Sequence, residues 1–210
     1  MRLVCISDTH SMHRQIPRIP DGDVLIHAGD CLGRGTLDNV EDLNDWLGML
    51  PHQNKIVIAG NHDWVFQETP ALAREALSNA FYLEDSGISL QGVNFWGSPW
   101  TPVFMDWAFM LEGGQALFDK WKLIPDNTHV LITHGPPKGF GDEVDTGLRF
   151  QNVGCIHLLD RVDEVSPKAH IFGHIHEGYG EYLRGSTLLI NASTCTERYE
   201  PTNAPIVLDI

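Results

Sequence analysis

Basic residues are scarce: 14 Lys and Arg stand against 28 Asp and Glu, giving a formal net charge of −14. A long nucleic-acid partner is ordinarily met by a basic surplus that displaces counterions from phosphates, so this balance argues against one. No apolar run reaches the ~18 residues that span a bilayer, which argues against a membrane partner. No charged leader, apolar stretch and small-residue cleavage site precede the first strand pattern at 2–6, and a cytoplasmic location is the expectation. Cysteine is sparse as well. Cys5, Cys31, Cys155 and Cys195 are scattered without CxxC spacing, unlike the dense pattern of a secreted disulfide scaffold, and read as reduced, mostly buried thiols. Repeats and low-complexity tracts are also missing. The 210 residues, 42% of them hydrophobic and 20% charged, fit one domain spanning 1–210 with a substantial core.

What is present is a series of short apolar runs that each stop at a polar cluster. Residues 3–6 run into Ser7-Asp8-Thr9-His10, residues 24–28 into Gly29-Asp30, and residues 56–59 into Gly60-Asn61-His62-Asp63. Later, 93–96 end at Gly97-Ser98-Pro99-Trp100, 130–133 at His134-Gly135, and 169–172 at Gly173-His174-Ile175-His176. Runs this short and apolar on both faces suit buried parallel strands. Between two of them, Leu43, Trp46, Leu47 and Leu50 recur at helical spacing over 37–50, with Pro51 as a stop. Further helices are expected at 72–78, 114–121 and 156–165, and strands at 178–183, 187–190 and 206–210. The whole reads as a mixed α/β protein with two sheets flanked by helices. Ligands of such sheets bind beyond the carboxyl ends of the strands, where every one of these clusters lies.

Taken singly, Asp8, Asp30 and Asn61 would pass for turn formers or helix caps, and a lone histidine for a surface or core residue. Eleven histidines are present. His13, His27, His52, His129, His157 and His170 fit no motif. The remaining five fall into an ordered set: D-x-H at Asp8 and His10, G-D at Asp30, G-N-H-D at 60–63, T-H-G at His134 and G-H-x-H at His174 and His176. Carboxylates and imidazoles without thiolates suit Mn, Fe or Zn in a working site rather than a structural zinc site.

This ordered set resembles the calcineurin-like metallophosphoesterase superfamily. The flanking words, such as Asn44-Asp45-Trp46-Leu47, Gly97-Ser98-Pro99-Trp100 and Asn191-Ala192-Ser193-Thr194-Cys195, resemble the branch that holds the vertebrate metallophosphoesterase-domain-containing brain proteins and their microbial relatives. The resemblance implies a four-layer α/β/β/α sandwich of two mixed sheets flanked by helices. It also implies two divalent cations, manganese first, with iron, zinc, cobalt or nickel as alternatives. Asp8, His10, Asp30 and His176 are then expected on one cation, and Asp30, Asn61, His134 and His174 on the other, with Asp30 as the bridge. A cation pair of this kind clamps a phosphate and lowers the pKa of the attacking water. His62 corresponds to the family's phosphate-contacting histidine, and Asp63 is expected to orient it. Some members of the branch carry glycine where this chain has His174, and its presence favours a competent enzyme. The implied substrates are small phosphodiesters, with 2′,3′- or 3′,5′-cyclic nucleotides leading. A nuclease or a weakly active nucleotide-binding protein is the alternative. Of the aromatic stretch Trp96, Trp100, Phe104, Trp107 and Phe109, Trp100 and Phe104 are expected to stack on a base. The Gly-, Pro- and Asp-rich loop at 134–147 is expected either to close over the site or to form an ordered surface loop.

Overall fold

A computed structural model describes residues 1–210. The chain runs β1 (Arg2–Ile6), β2 (Val24–Ala28), α1 (Leu37–Met49), β3 (Asn54–Ile58), α2 (Trp64–Glu68), α3 (Pro70–Ala76), β4 (Phe81–Tyr82), β5 (Ser86–Leu90) and β6 (Val93–Ser98). It continues through β7 (Thr101–Pro102), β8 (Met110–Leu111), α4 (Gln115–Trp121), β9 (Val130–Thr133), β10 (Glu143–Asp145) and β11 (Phe150–Asn152). It ends with α5 (Ile156–Val165), β12 (Ala169–Phe172), β13 (Gly180–Arg184), β14 (Thr187–Asn191) and β15 (Ile206–Asp209).

Two sheets carry the fold. The first has the order β15-β1-β2-β3-β4, parallel except for β15, and the second β13-β14-β12-β9-β6-β5, parallel except for its edge strands β13 and β5. Side chains alternate between the faces of a strand, and the apolar residues of β1 show where each face goes. Val4 and Ile6 pack with Leu43, Trp46, Leu47 and Phe66 beneath the helices, while Leu3 and Cys5 pack with Ile132, Ile171 and Ile190 of the other sheet. On the far side, Leu131, Phe172 and Leu189 meet Leu117 and Trp121 of α4 and Leu158 and Val162 of α5. Three apolar layers between four structural ones make the α/β/β/α sandwich. All four cysteines are free and buried in it. No helix is long and apolar enough to cross a membrane.

The departures from the sequence reading have local causes. The helix expected at 72–78 starts earlier because Pro70 takes its first turn, where a missing N–H costs nothing. The short helix α2 and the edge strand β5 have no counterpart among the expected elements. Strand β13 begins at Gly180 because His176–Gly178 forms a 3-10 turn first. The 134–147 loop carries β10, which pairs with β11 in a ribbon of its own, and is tied back by a bridge from Pro137 to Cys155.

Candidate metal centre

Strands β1, β2, β3, β9 and β12 all end at the same rim of the sandwich, and each delivers one polar cluster. The chain turns sharply there. Asp8, His10, Asp30 and His174 adopt positive φ values of 51°, 44°, 50° and 69°, a region that side chains other than glycine rarely occupy. Such strain persists where surrounding contacts over-determine the backbone, and it concentrates at functional sites. Two glycines of the motifs have a steric reason. A Cβ at Gly60 would collide with Asp30 and His134, and one at Gly173 with Asp8 and Ser7.

The result is a continuous cluster of donor atoms. Asp30 faces two ways. Its Oδ1 lies 3.3 Å from His134 Nε2, and its Oδ2 lies 3.9 Å from His10 Nε2 and 4.0 Å from His62 Nε2. On the first side, His134 Nε2 is 2.9 Å from Asn61 Oδ1, and the His174 ring packs edge-on against His134 at 5.0 Å. On the other, His176 Nε2 is 3.5 Å from Asp8 Oδ1 and 3.3 Å from His10 Nε2. Three overlapping trios have donor atoms within 4.8 Å of one another: Asp8-His10-His176, His10-Asp30-His62 and Asp30-His134-His174.

These spacings fit divalent cations. Ligands about 2.1 Å from one ion are about 3 Å apart at right angles and about 4.2 Å apart when opposite, and these pairs lie between 2.9 and 4.0 Å. The imidazoles are also preset for it. His134 Nδ1 donates to the Ala28 carbonyl at 3.0 Å and His176 Nδ1 to the Thr196 carbonyl at 2.9 Å, so in each ring Nε2 is the nitrogen aimed inward. Asp8 is steadied by the His174 N–H at 3.0 Å and the Ser193 hydroxyl at 2.9 Å.

The electrostatics agree. Burial works to raise the Asp8 carboxyl, but the His176 hydrogen bond and the charges of His134, His176 and His10 hold it well below the usual range. Asp30 is lowered against its burial in the same way by His134 and His10. In return, His134 and His176 are raised to about 9, overcoming their burial through Asp30 and Asp8 respectively. His174 moves the other way, lowered to about 4 by burial and by the His134 charge. Carboxylates that draw protons onto neighbouring imidazoles are sites that call for positive charge, and a dication would displace those protons.

Some expected contacts are absent. Asp63 does not touch His62. Its buried carboxylate accepts the backbone N–H groups of Gly60 (2.7 Å), Leu32 (2.8 Å) and Cys31 (3.2 Å), tying the β2 and β3 turns together. His62 is oriented instead by the Gly33 carbonyl, which accepts its Nδ1–H at 2.9 Å. Trp100 is engaged elsewhere, since its Nε1 donates to Asp85 (2.9 Å) and Lys120 sits over its ring at 4.6 Å. Phe104 is 61% exposed at the tip of the β7–β8 ribbon, and neither it nor Trp100 packs on a histidine of the cluster. Within that aromatic stretch it is Trp107 that does, stacked on His62 at 4.3 Å and 21°. The ribbon is anchored there because the Ala108 N–H donates to the Asn61 carbonyl at 3.1 Å.

Two features of the site carried no signal in the sequence: Thr196 behind His176, and Tyr199, whose ring lies 4.8 Å from His10 and 5.2 Å from His176; Ser193, which steadies Asp8, lies in the 191–195 word. The histidines outside the motifs include a matched pair of braces. His27 meets Thr9 Oγ1 and His170 meets Thr133 Oγ1, each at 2.8 Å, one in each sheet directly behind the cluster.

The model of the calcineurin-like phosphoesterase family matches residues 1–178. Metallophosphoesterase domain-containing protein 1 of Homo sapiens is 46% identical over 233 aligned residues, covering 100% of this chain and 71% of that protein. A UPF0046 protein of Caenorhabditis elegans is 41% identical, covering 100% of this chain and 60% of its own length. A 3′,5′-cyclic-nucleotide phosphodiesterase of Nostoc is 24% identical over 92% of this chain and 72% of its own. Among solved structures, the protein TT1561 of Thermus thermophilus shares the fold with a TM-score of 0.59 at 13% identity, covering 90% of this chain and 88% of that one. With its strand-end clusters converging on one site and its whole length aligned to relatives at this identity, the chain belongs to the calcineurin-like phosphoesterase family.

Proposed function

We propose that this protein hydrolyses small phosphodiesters, cyclic nucleotides (2′,3′ or 3′,5′) leading, with two divalent cations held at the strand ends. The carrying observation is Asp30, whose two oxygens face separate imidazole groups, His134 on one side and His10 on the other. Asp8, His10, Asp30 and His176 would hold one cation, and Asp30, Asn61, His134 and His174 the other. When bound, the pair supplies Lewis acidity toward the phosphoryl oxygens and makes water nucleophilic near neutral pH.

The rest of the work falls to the chain. His134 and His176 are held in one ring orientation by carbonyls, so the donor set is preorganised. His62 sits at the rim of the cluster with its Nδ1 committed to Gly33 and its Nε2 turned inward. In the imidazolium, which carries a proton on each nitrogen, that Nε2 can donate to a phosphoryl oxygen or protonate the departing alkoxide. Trp107 covers one face of the imidazole and limits its rotation. Manganese is the first cation to try. The likeness to the Nostoc cyclic-nucleotide phosphodiesterase supports the substrate class, and the excess of acid over base counts against a polynucleotide. His174, packed against His134, counts against a protein that only binds nucleotides.

One screen separates these readings. Purified protein is assayed on a bis-aryl phosphate, on 2′,3′- and 3′,5′-cyclic nucleotides and on single-stranded DNA, with and without Mn²⁺. Metal-dependent turnover of the small diesters is expected. Turnover of DNA alone, or of nothing, would overturn the proposal.

A further inference from the structure

We propose that Tyr199 is a substrate-binding residue whose hydroxyl donates a hydrogen bond to a phosphoryl oxygen of the bound ester. The inference rests on the phosphoesterase reading above and adds a contact from a segment beyond the residues 1–178 that match the family model.

Four observations carry it. The Tyr199 ring lies against His10 and His176 and so flanks the cluster, whereas Trp107 flanks it through His62. The residue nevertheless keeps 49% of its surface exposed, so it stands at the surface beside the cluster rather than in the core. The hydroxyls of the other three tyrosines are all engaged, Tyr82 with Glu84, Tyr179 with the Ala204 carbonyl and Tyr182 with the Gly178 carbonyl, whereas that of Tyr199 has no partner in the protein. Lastly, Tyr199 has φ of +58°, a conformation that a bulky side chain adopts only under constraint.

The constraint comes from Thr196. Its carbonyl accepts the Tyr199 N–H at 2.8 Å and also the His176 Nδ1–H at 2.9 Å. Its own N–H donates to the Glu200 carbonyl at 2.9 Å, and Asn203 closes the loop through the Thr194 carbonyl (3.1 Å) and the Ser193 carbonyl (3.0 Å). One carbonyl therefore fixes both the imidazole that faces Asp8 and the tyrosine that stands over it. Glycine or asparagine would take this left-handed conformation at less cost than tyrosine. Backbone strain held by so many bonds is the pattern of a residue kept for what its side chain touches.

Tyr199→Phe keeps the ring and its packing and removes only the hydroxyl. With the Mn²⁺-loaded full chain, calorimetry with inorganic phosphate should show binding weakened roughly 10- to 100-fold, the scale of one hydrogen bond to a charged group. KM for a bis-aryl phosphate should rise by a similar factor, while metal content and the thermal midpoint stay as in wild type. Equal phosphate affinity and equal KM in the two proteins would overturn the assignment and leave the diesterase reading intact. A wild type that binds phosphate in a Tyr199-dependent way yet turns over no diester would do the reverse. Loss of metal or of thermal stability from Tyr199→Phe would make the hydroxyl structural and would also overturn the proposal.

Discussion

Replacing Asp63 with alanine should cost stability before it costs chemistry. The Asp63 carboxylate is fully buried and is the acceptor for three backbone N–H groups, those of Gly60, Leu32 and Cys31. Removing it strands three buried donors at about 1–3 kcal/mol each, with less than full additivity because they share one acceptor group. Part of this is offset. Burial and the Asp30 charge push the Asp63 carboxyl up to about 7, so its loss also relieves a repulsion. A net destabilisation of about 2–4 kcal/mol follows, which for a chain of this size lowers the melting temperature by roughly 5–15 °C. Asp63→Asn should sit between wild type and alanine. Its oxygen can keep the Gly60 and Cys31 N–H groups that share Oδ2, but its NH2 then faces the Leu32 N–H. Urea and thermal unfolding of the metal-free protein would read this without a contribution from cation binding. A chain stable to within about 1 kcal/mol of wild type after Asp63→Ala, but with a crippled kcat, would show that the three N–H bonds do not depend on this carboxylate. It would restore the role that adjacency suggested, orientation of His62.

Three further outcomes are expected. Asp30→Ala should lose bound metal at both positions together with activity, because one carboxylate faces both imidazole groups, and elemental analysis showing two retained metals at a near-wild-type rate would rule the bridge out. His62→Ala should keep its metal while kcat falls roughly 10²- to 10⁴-fold, less so on an aryl ester with a good leaving group; metal loss would instead make His62 a ligand, as its place in the His10-Asp30-His62 trio allows. Burial lowers His170 to about 3, so between its unfolded value near 6.5 and that pH the unfolded chain takes up a proton that the folded chain refuses. Stability contributed by the neutral ring is thus present above about 6.5 and lost as pH falls, by up to about 1.4 kcal/mol per pH unit. Urea unfolding at pH 7, 6 and 5 should show a shallower acid slope for His170→Gln, and an unchanged slope would remove His170 from the account.

The strand-end pattern is legible in the sequence alone. Each central strand is a short run apolar on both faces, and burial on both faces is what a strand between two layers requires, so β1, β2, β9 and β12 were legible almost to the residue. Their polar stops were legible too, because Asp, Asn and His directly after buried strands are costly unless they serve a ligand or a turn, and Gly60 and Gly173 are forced by close approach. Edge elements such as β5 and β13 were less clear, since a half-exposed strand carries a weaker pattern.

Which groups meet depends on how the sheets and loops pack together. Adjacency placed Asp63 beside His62, but the turn after β3 points the carboxylate inward to the backbone of the neighbouring turn and the imidazole outward to Gly33. Their place just past a strand end singled out Trp100 and Phe104 in a run of aromatics. The anchoring of Ala108 on Asn61 brings Trp107 to His62 instead, while Asp85 and Lys120 hold Trp100 away. Nothing in the local sequence of Tyr199 marks it, because its place over His10 and His176 depends on a carbonyl that a histidine from another segment also uses. Strand periodicity is written residue by residue along the chain, whereas contacts between loop ends depend on how two sheets are stacked, and that is fixed only once all the strands are packed.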